Sequence, residues 1–380
     1  MDEKLVAVGD RIRSRIPSGM SQRQLADQAG MKPDALSRAL NGQRGFSSAE
    51  LARIADELGA DLYWLATGHE DPRRVQIAAR HSWDPDRRVS MNPGRVHDDE
   101  ILAQVVEVYN AALPEGPPPS EKLPDDPGRM REILGDDFVR TFGAAVEARL
   151  GVDVVRLPGL STDYSITIGP RAVVLLATTP SWFRSNWSLA HELAHLALGH
   201  HSGNAEPAEK DEAPANRFAA ELLLPQELID REDWQRMDER QLAGFLWRTG
   251  VSSKALKNRL DWFRIQPAPG IVSALRESTP KLIRAQAQVV GGTEKVTVRQ
   301  QDSSTRLFPS LVVDALQRRV DAGTVSPELL AWALAVPVDE IDFLSPDDEQ
   351  LADAYARRLE DRPSAADLGK WAATNNRLAG

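Results

Sequence analysis

Residues 185–201 read SNWSLAHELAHLALGHH and hold four of the seven histidines of the chain. No proline or β-branched residue interrupts them, Ser185, Asn186 or Ser188 stands in front as a cap, and Gly199 closes the run, so the stretch predicts a helix. On a helix His191 and His195 share one face. Two imidazoles in that relation suit a tetrahedral metal ion, and Glu192 lies beside them at the height of a water that such an ion would hold. The pattern H-E-x-x-H therefore predicts Zn²⁺ chemistry in which the metal brings the pKa of water to about 7 and a carboxylate shuttles the proton to a leaving amine. Glu192 is the expected catalytic base.

A zinc site of this kind needs a third protein ligand, and three candidates follow the motif. His201 lies ten residues after His191, as in the metzincin pattern, but Leu198 stands at that pattern's glycine position and Gly199 comes one residue late. Glu212 opens DEAPANRFAAELLLP, residues 211–225, which predicts a second helix with Pro214 in its first turn. There Glu212, Asn216, Ala219 and Leu223 line one face and Glu221 projects roughly opposite, which makes Glu221 the weaker acid of the two. The stripe Ala190, Ala194 and Ala197 on the first helix would let the second approach closely enough for Glu212 to reach the metal.

The whole segment from Tyr164 to Pro225, with WSLAHELAHLALGHH followed by EAPANRFAAELLLP, resembles the ImmA/IrrE family of metallopeptidases. Carried over residue by residue, the resemblance implies His191, His195 and Glu212 as zinc ligands and Glu192 as base. Two departures stand out: Ala194 replaces the usual glycine, and Pro214 lies within the ligand helix.

Residues 1–68 predict five short helices, over Leu5 to Ile16, Ser21 to Gln28, Pro33 to Leu40, Ser47 to Leu58 and Asp61 to Ala66. A serine cap, a small Ala26 at a helix crossing, Gly30 in the turn and Pro33 opening the next helix form a helix-turn-helix pattern. Together with SRALNG and LARIADELGA, it resembles the XRE or Cro/phage-repressor family. That resemblance implies that the Pro33 to Leu40 helix enters the major groove, with Lys32, Asp34, Ser37 and Arg38 contacting bases and Gln22, Asn41 and Arg44 nearer the phosphates. The segment carries nine basic and nine acidic side chains, so binding would depend on a homodimer or on the neighbouring arm. That arm, Arg73 to Arg95, has six arginines against two aspartates and reads either as a phosphate-contacting arm or as a solvated linker.

With no cysteine, neither a disulfide framework nor a thiolate zinc site exists. No apolar run approaches the roughly 18 residues of a membrane span, and no signal peptide is visible, so the expected location is the cytoplasm, with no membrane partner. A net charge of −10 argues against indiscriminate nucleic-acid binding.

The expected class is α+β and mostly helical. Residues 1–68 form the DNA-binding domain, 69–128 a basic segment, helix and flexible Pro-rich linker, 129–265 the peptidase core, and 266–380 a helical interaction region. Within the core, Gly128 to Leu150 predicts one helix, and Val152 to Leu157, Ser165 to Ile168 and Ala172 to Ala177 predict a small sheet, the last run being either its substrate-binding edge or, because it is so apolar, a buried core strand. Tyr164 and His201 are candidates for stabilising the oxyanion. Asp238 to Leu260 predicts a second helix-turn-helix-like pair, and Gln286 to Val290 with Val296 to Arg299 a β-hairpin. The expected function is a DNA-binding regulator whose zinc endopeptidase cleaves a repressor-like or antitoxin-like protein, or itself. The rival is a regulator whose zincin domain is a non-catalytic sensor or dimerisation module.

Overall fold

A computed structural model describes residues 3–17, 19–69, 75–79, 82–84, 89–91, 95–200 and 209–341. Residues 342–380 of the expected helical interaction region lie outside the described residues, as does His201.

The head contains α1 (Glu3–Arg15), α2 (Gln22–Gln28), α3 (Pro33–Leu40), α4 (Ser48–Leu58) and α5 (Leu62–Thr67). Local chemistry sets the starts: Ser21 and Gln24 form a capping box on α2, Ser47 and Glu50 another on α4, and Asp61 caps α5. Ile12, Leu25, Leu36, Leu40, Ile54 and Leu65 fill a core drawn from residues 8–65 alone. Gly9 is required where α1 crosses the end of α3, because a Cβ there would lie 2.0 Å from the Leu40 carbonyl oxygen.

Three short strands follow, β1 (Val75–Ala79), β2 (Ser82–Asp84) and β3 (Val89–Met91), then α6 (Arg95–Ala112), α7 (Pro127–Leu134) and α8 (Phe142–Leu150). The single helix expected over 128–150 is broken: Gly135, with φ 77°, ends α7, and a 3-10 turn over Phe138–Thr141 leads into α8. Strands β4 (Asp153–Leu157), β5 (Tyr164–Ile168) and β6 (Arg171–Ala177) come next. The sheet order is β1-β5-β6-β4, parallel between β4 and β6 and antiparallel elsewhere.

This order decides between two expectations. The Ala172 to Ala177 run is a central strand, not an edge, and the physical reason lies in its unbroken apolar sequence. Ala172, Val174 and Leu176 face one core while Val173 and Leu175 face the other, and a strand buried on both faces has no polar alternation. Outside the sheet run α9 (Trp182–Ala197), α10 (Glu209–Leu223), α11 (Gln226–Asp230), α12 (Glu239–Thr249), α13 (Ser253–Trp262), α14 (Pro269–Ala274), α15 (Thr279–Ala285), α16 (Thr293–Ser304), α17 (Ser310–Asp321) and α18 (Pro327–Leu334). Residues from α8, α9, α10, α12 and α13 pack on the first face; residues from α6, α17 and α18 pack on the second.

The Pro-rich stretch between α6 and α7 is not a flexible connection. Ser120 donates from its amide to the Pro170 carbonyl and from its hydroxyl to the Gly151 carbonyl, accepts from the Ala172 amide, and Leu123 is buried. Eight prolines and glycines across 114–128 break regular structure without breaking packing. The predicted β-hairpin is likewise replaced, by a 3-10 turn over Ala287–Val290 and by α16. Val290 and Val296 enter the first core, so tertiary burial overrides the β-branched composition.

Candidate functional site

Helix α9 begins at Trp182, three residues ahead of the first expected cap, leaving Ser185 and Ser188 buried inside it. Aromatic packing explains the early start. Trp182 is buried edge-on against Trp247 at 5.6 Å, and the Arg299 guanidinium of α16 lies 5.3 Å from the Trp182 ring and 4.7 Å from the Trp247 ring. Arg299 also donates to the Trp247 carbonyl at 2.8 Å, and burial with the nearby Arg140 charge lowers its pKa to about 10. One turn on, Asn186 donates to the Gly250 carbonyl at 3.0 Å, and Ser303 closes the approach by donating to the Thr179 carbonyl at 2.7 Å. Segments far apart in sequence thus fix the direction of the helix that carries the histidines.

Against this helix lies α10, with Ala190, Ala194, Ala215 and Ala219 all buried. Small side chains permit the close approach that the alanine stripe predicts. Helix α10 begins at Glu209, so Pro214 sits beyond its first turn and cannot donate to the Lys210 carbonyl. Glu212 faces α9 from that first stretch. Its Oε2 is 3.4 Å from His191 Nε2, its Oε1 3.5 Å from His195 Nε2, and the two Nε2 atoms are 3.1 Å apart. Ligand bonds of about 2.0–2.2 Å to a tetrahedral ion require donor atoms roughly 3.3–3.6 Å apart, which these spacings approach. Among the described residues, His191, His195 and Glu212 are a group able to hold a metal ion.

The electrostatics agree with a cation at this point. Burial pushes the Glu212 carboxyl up, but hydrogen bonding and charge from His191 and His195 outweigh it and hold the group well below the usual carboxylate range. Oε1 of Glu212 is buried without a well-directed donor, and so are His191 Nδ1 and Glu192 Oε1. Two imidazole nitrogens and one carboxylate, leaving a fourth position open, make a donor set suited to catalytic rather than structural zinc. The two competing candidates are accounted for differently. Glu221 is held by Arg259 at 2.7 Å, and His201 lies outside the described residues.

Glu192 is fully buried, and desolvation raises its pKa against the lowering effect of His191 and His195. Its Oε2 accepts a 2.9 Å hydrogen bond from Ser165 on β5, while Oε1 carries none. Sequence reading passed over Ser165, although a polar residue between Tyr164 and Ile166 on a buried strand was a usable signal. His200 is a second such residue. Its Nδ1 is 2.9 Å from His195 Nδ1, and its Nε2 is 3.9 Å from Asp211 Oδ1. If His195 presents Nε2 as acceptor, its Nδ1 carries the hydrogen and donates to His200, which fixes the ring. Tyr164, in contrast, is buried and donates to Asp98 on α6, so it is not placed to meet an oxyanion.

On the head, Lys32, Asp34, Ser37 and Arg38 are all exposed on α3 or at its start, and Gln22 is exposed at the start of α2. Asn41 accepts from Arg13, and Arg44 is engaged inward, donating to the Ala35 carbonyl and both oxygens of Glu50. The arginines of the 73–95 arm have no described side chains. The predicted pair α12 and α13 packs into the core, with Phe245, Leu246, Leu256 and Leu260 buried and Arg259 bonded to the Leu224 carbonyl.

Two family models match the chain. Residues 147–261 match the IrrE N-terminal-like domain of the M78 peptidases, and residues 13–65 match a helix-turn-helix. No curated protein and no solved structure matches significantly.

Proposed function

We propose that this chain, which joins an XRE-type helix-turn-helix to an IrrE-like domain, is a DNA-binding transcriptional regulator with a zinc-dependent endopeptidase. Its substrate would be a repressor-like or antitoxin-like protein, or another copy of itself, in the cytoplasm where the operator lies. One observation carries the reading: three ligand atoms converge beside a fully buried carboxylate with one unengaged oxygen.

His191, His195 and Glu212 would hold the ion. Zinc, when bound, supplies Lewis acidity that polarises a peptide carbonyl and lowers the pKa of water. Glu192 does the proton work. Ser165 occupies Oε2, which leaves Oε1 to take a proton from the attacking water. The buried setting raises the affinity of Glu192 for that proton, so the group holds it until the leaving amine accepts it. His200 and Asp211 keep the His195 ring from turning.

The head would supply the address. Lys32, Asp34, Ser37 and Arg38 form one exposed surface for base contacts, with Gln22 and Asn41 beside it for phosphates. Because Arg44 already bonds Glu50, its proposed phosphate contact would use only what that ion pair leaves over. A homodimer on a two-fold operator would compensate for the neutral head.

A direct test uses zinc-loaded full chain, its Glu192→Gln variant, and candidate XRE-type repressors as substrates, read by mass spectrometry. Site-specific cleavage by the wild type, reduced about 10³-fold or more in the variant at unchanged zinc content, is expected. Equal cleavage by both would remove Glu192 as base. Zinc binding without cleavage of any candidate would favour the sensor reading.

A further inference from the structure

The strand that carries Ser165 is covered on its outer side by a segment from outside the matched peptidase region. β1 pairs antiparallel with β5 over Val75↔Ile168, Gln76↔Thr167, Ile77↔Ile166, Ala78↔Ser165 and Ala79↔Tyr164. Residue Ser165 in this ladder is the one that donates to Glu192. With neighbouring strands about 4.8 Å apart and a serine side chain and one hydrogen bond beyond, the β1 backbone lies within about 10 Å of the Glu192 carboxylate. An extended peptide that adds to a sheet edge uses main-chain hydrogen bonds of this kind. Sequence reading sought that edge in β6. The order β1-β5-β6-β4 moves it to β5, and β1 is already there.

We propose that the outer edge of β5 is the peptide-docking edge of the candidate active site and that β1 is its resident occupant, an intrachain strand that an incoming peptide must displace. The idea rests on the peptidase reading only for what the docked peptide undergoes afterwards. The opposite edge of the sheet gives the contrast. β4 is covered at Arg156 by a two-way exchange of hydrogen bonds with Leu307, on the side away from Glu192. Any exposed edge invites covering. Only the β5 edge is covered beside the base.

Tethering sets the strength of the block. A strand held by a short linker competes at an effective concentration of about millimolar, so weakly pairing peptides stay out and only a well-matched or locally concentrated partner enters. β1 begins eight residues after Thr67, the last residue of α5. Eight residues span at most about 28 Å, so the head cannot move further than that from the sheet edge unless β1 leaves it. Only binding that drew the head beyond that reach would withdraw β1 and open the β5 edge.

The experiment uses the full chain in a Glu192→Gln background, so that nothing is turned over, and a fluorescein-labelled peptide copying residues 73–81, RRVQIAARH. Neighbouring amides of an edge strand point alternately into and out of the ladder. Of Gln76→Pro and Ile77→Pro, one therefore removes a hydrogen bond to β5 and the other leaves the ladder donors intact. The ladder-facing variant should bind the peptide about tenfold or more tightly than the parent, as read by anisotropy. Its Tyr164–Ile168 amides should exchange faster with solvent and regain protection when the peptide binds, while the outward-facing variant behaves as the parent. Faster β5 exchange without gain in peptide affinity would overturn the proposal, making β1 a plain edge cover. Unchanged exchange and affinity in both variants would overturn it as well. None of these readouts needs metal or turnover, so they decide the docking proposal alone, and the peptidase reading stands or falls separately on the cleavage assay with zinc-loaded wild type.

Discussion

The head and the peptidase-like core are built on opposite principles. In the head, the buried side chains are apolar, and no polar or charged residue from it figures among the buried ones described. Of the residues expected to contact DNA, Gln22, Lys32, Asp34, Ser37, Arg38 and Asn41 are exposed, and Arg44 alone turns inward to Ala35 and Glu50. In the core, Asp98, Asp153, Ser165, His191, Glu192, His195 and Arg259 are buried, each tied to at least one partner from another element or another turn. A binding module can leave its function on the surface of a small apolar core. A site that must control a proton and an ion takes its polar groups inside, and each then needs support from elsewhere in the fold.

The sharpest way to test that contrast is to break one region and watch the other. Gly9→Ala places a methyl group on the Leu40 carbonyl and should cost the head on the order of 3 kcal/mol or more, enough to unfold it. Calorimetry should then lose a head transition and retain the core transition; loss of both would show that the two cores fold as one. The reverse experiment is Arg299→Ala, which removes a cation between two tryptophans and a hydrogen bond to the Trp247 carbonyl. We expect about 2–3 kcal/mol off core stability, with DNA affinity of the head unchanged.

A smaller effect separates support from stability. Ser165→Ala should lower kcat about tenfold through the lost orientation of Glu192, with KM, zinc content and Tm near wild type. A fall in zinc content instead would place Ser165 in the integrity of the metal site. The smallest effect belongs to the head. Burial pushes the Glu50 carboxyl up, but its bonds to Arg44 and to the Ser47 amide leave it below its ordinary value. A depressed folded-state pKa contributes stability at pH above the unfolded value of about 4.3 and loses it as pH falls through the lower folded value. Head Tm should therefore drop below about pH 4, and Glu50→Gln should flatten that drop at the cost of a lower Tm at pH 7, by less than about 1 kcal/mol.

The same contrast explains what the sequence could reveal. All five head helices are legible to within two residues because their boundaries are local: Ser21, Ser47 and Asp61 cap, and Gly30, Gly59 and Gly68 turn. The pair His191 and His195 and the alanine stripe opposite Glu212 are legible for the same reason, since both follow from helical period alone. Ser165, His200 and Arg299 were not, because each gains its role only through a partner on another element or turn. For β6 the buried-strand reading holds and the substrate-edge reading fails, because an apolar run shows that a strand is buried without showing what lies beside it. Among the described residues no helix is long and apolar enough to cross a membrane.

The most direct test of the central claim is the zinc content of purified full chain, measured by elemental analysis beside Glu212→Ala and Glu221→Ala. The account predicts about one zinc per chain in the wild type and in Glu221→Ala, whose acid is paired with Arg259, and a near-complete loss in Glu212→Ala. Wild-type zinc content in Glu212→Ala, or no zinc in the wild type after zinc is supplied, would contradict it.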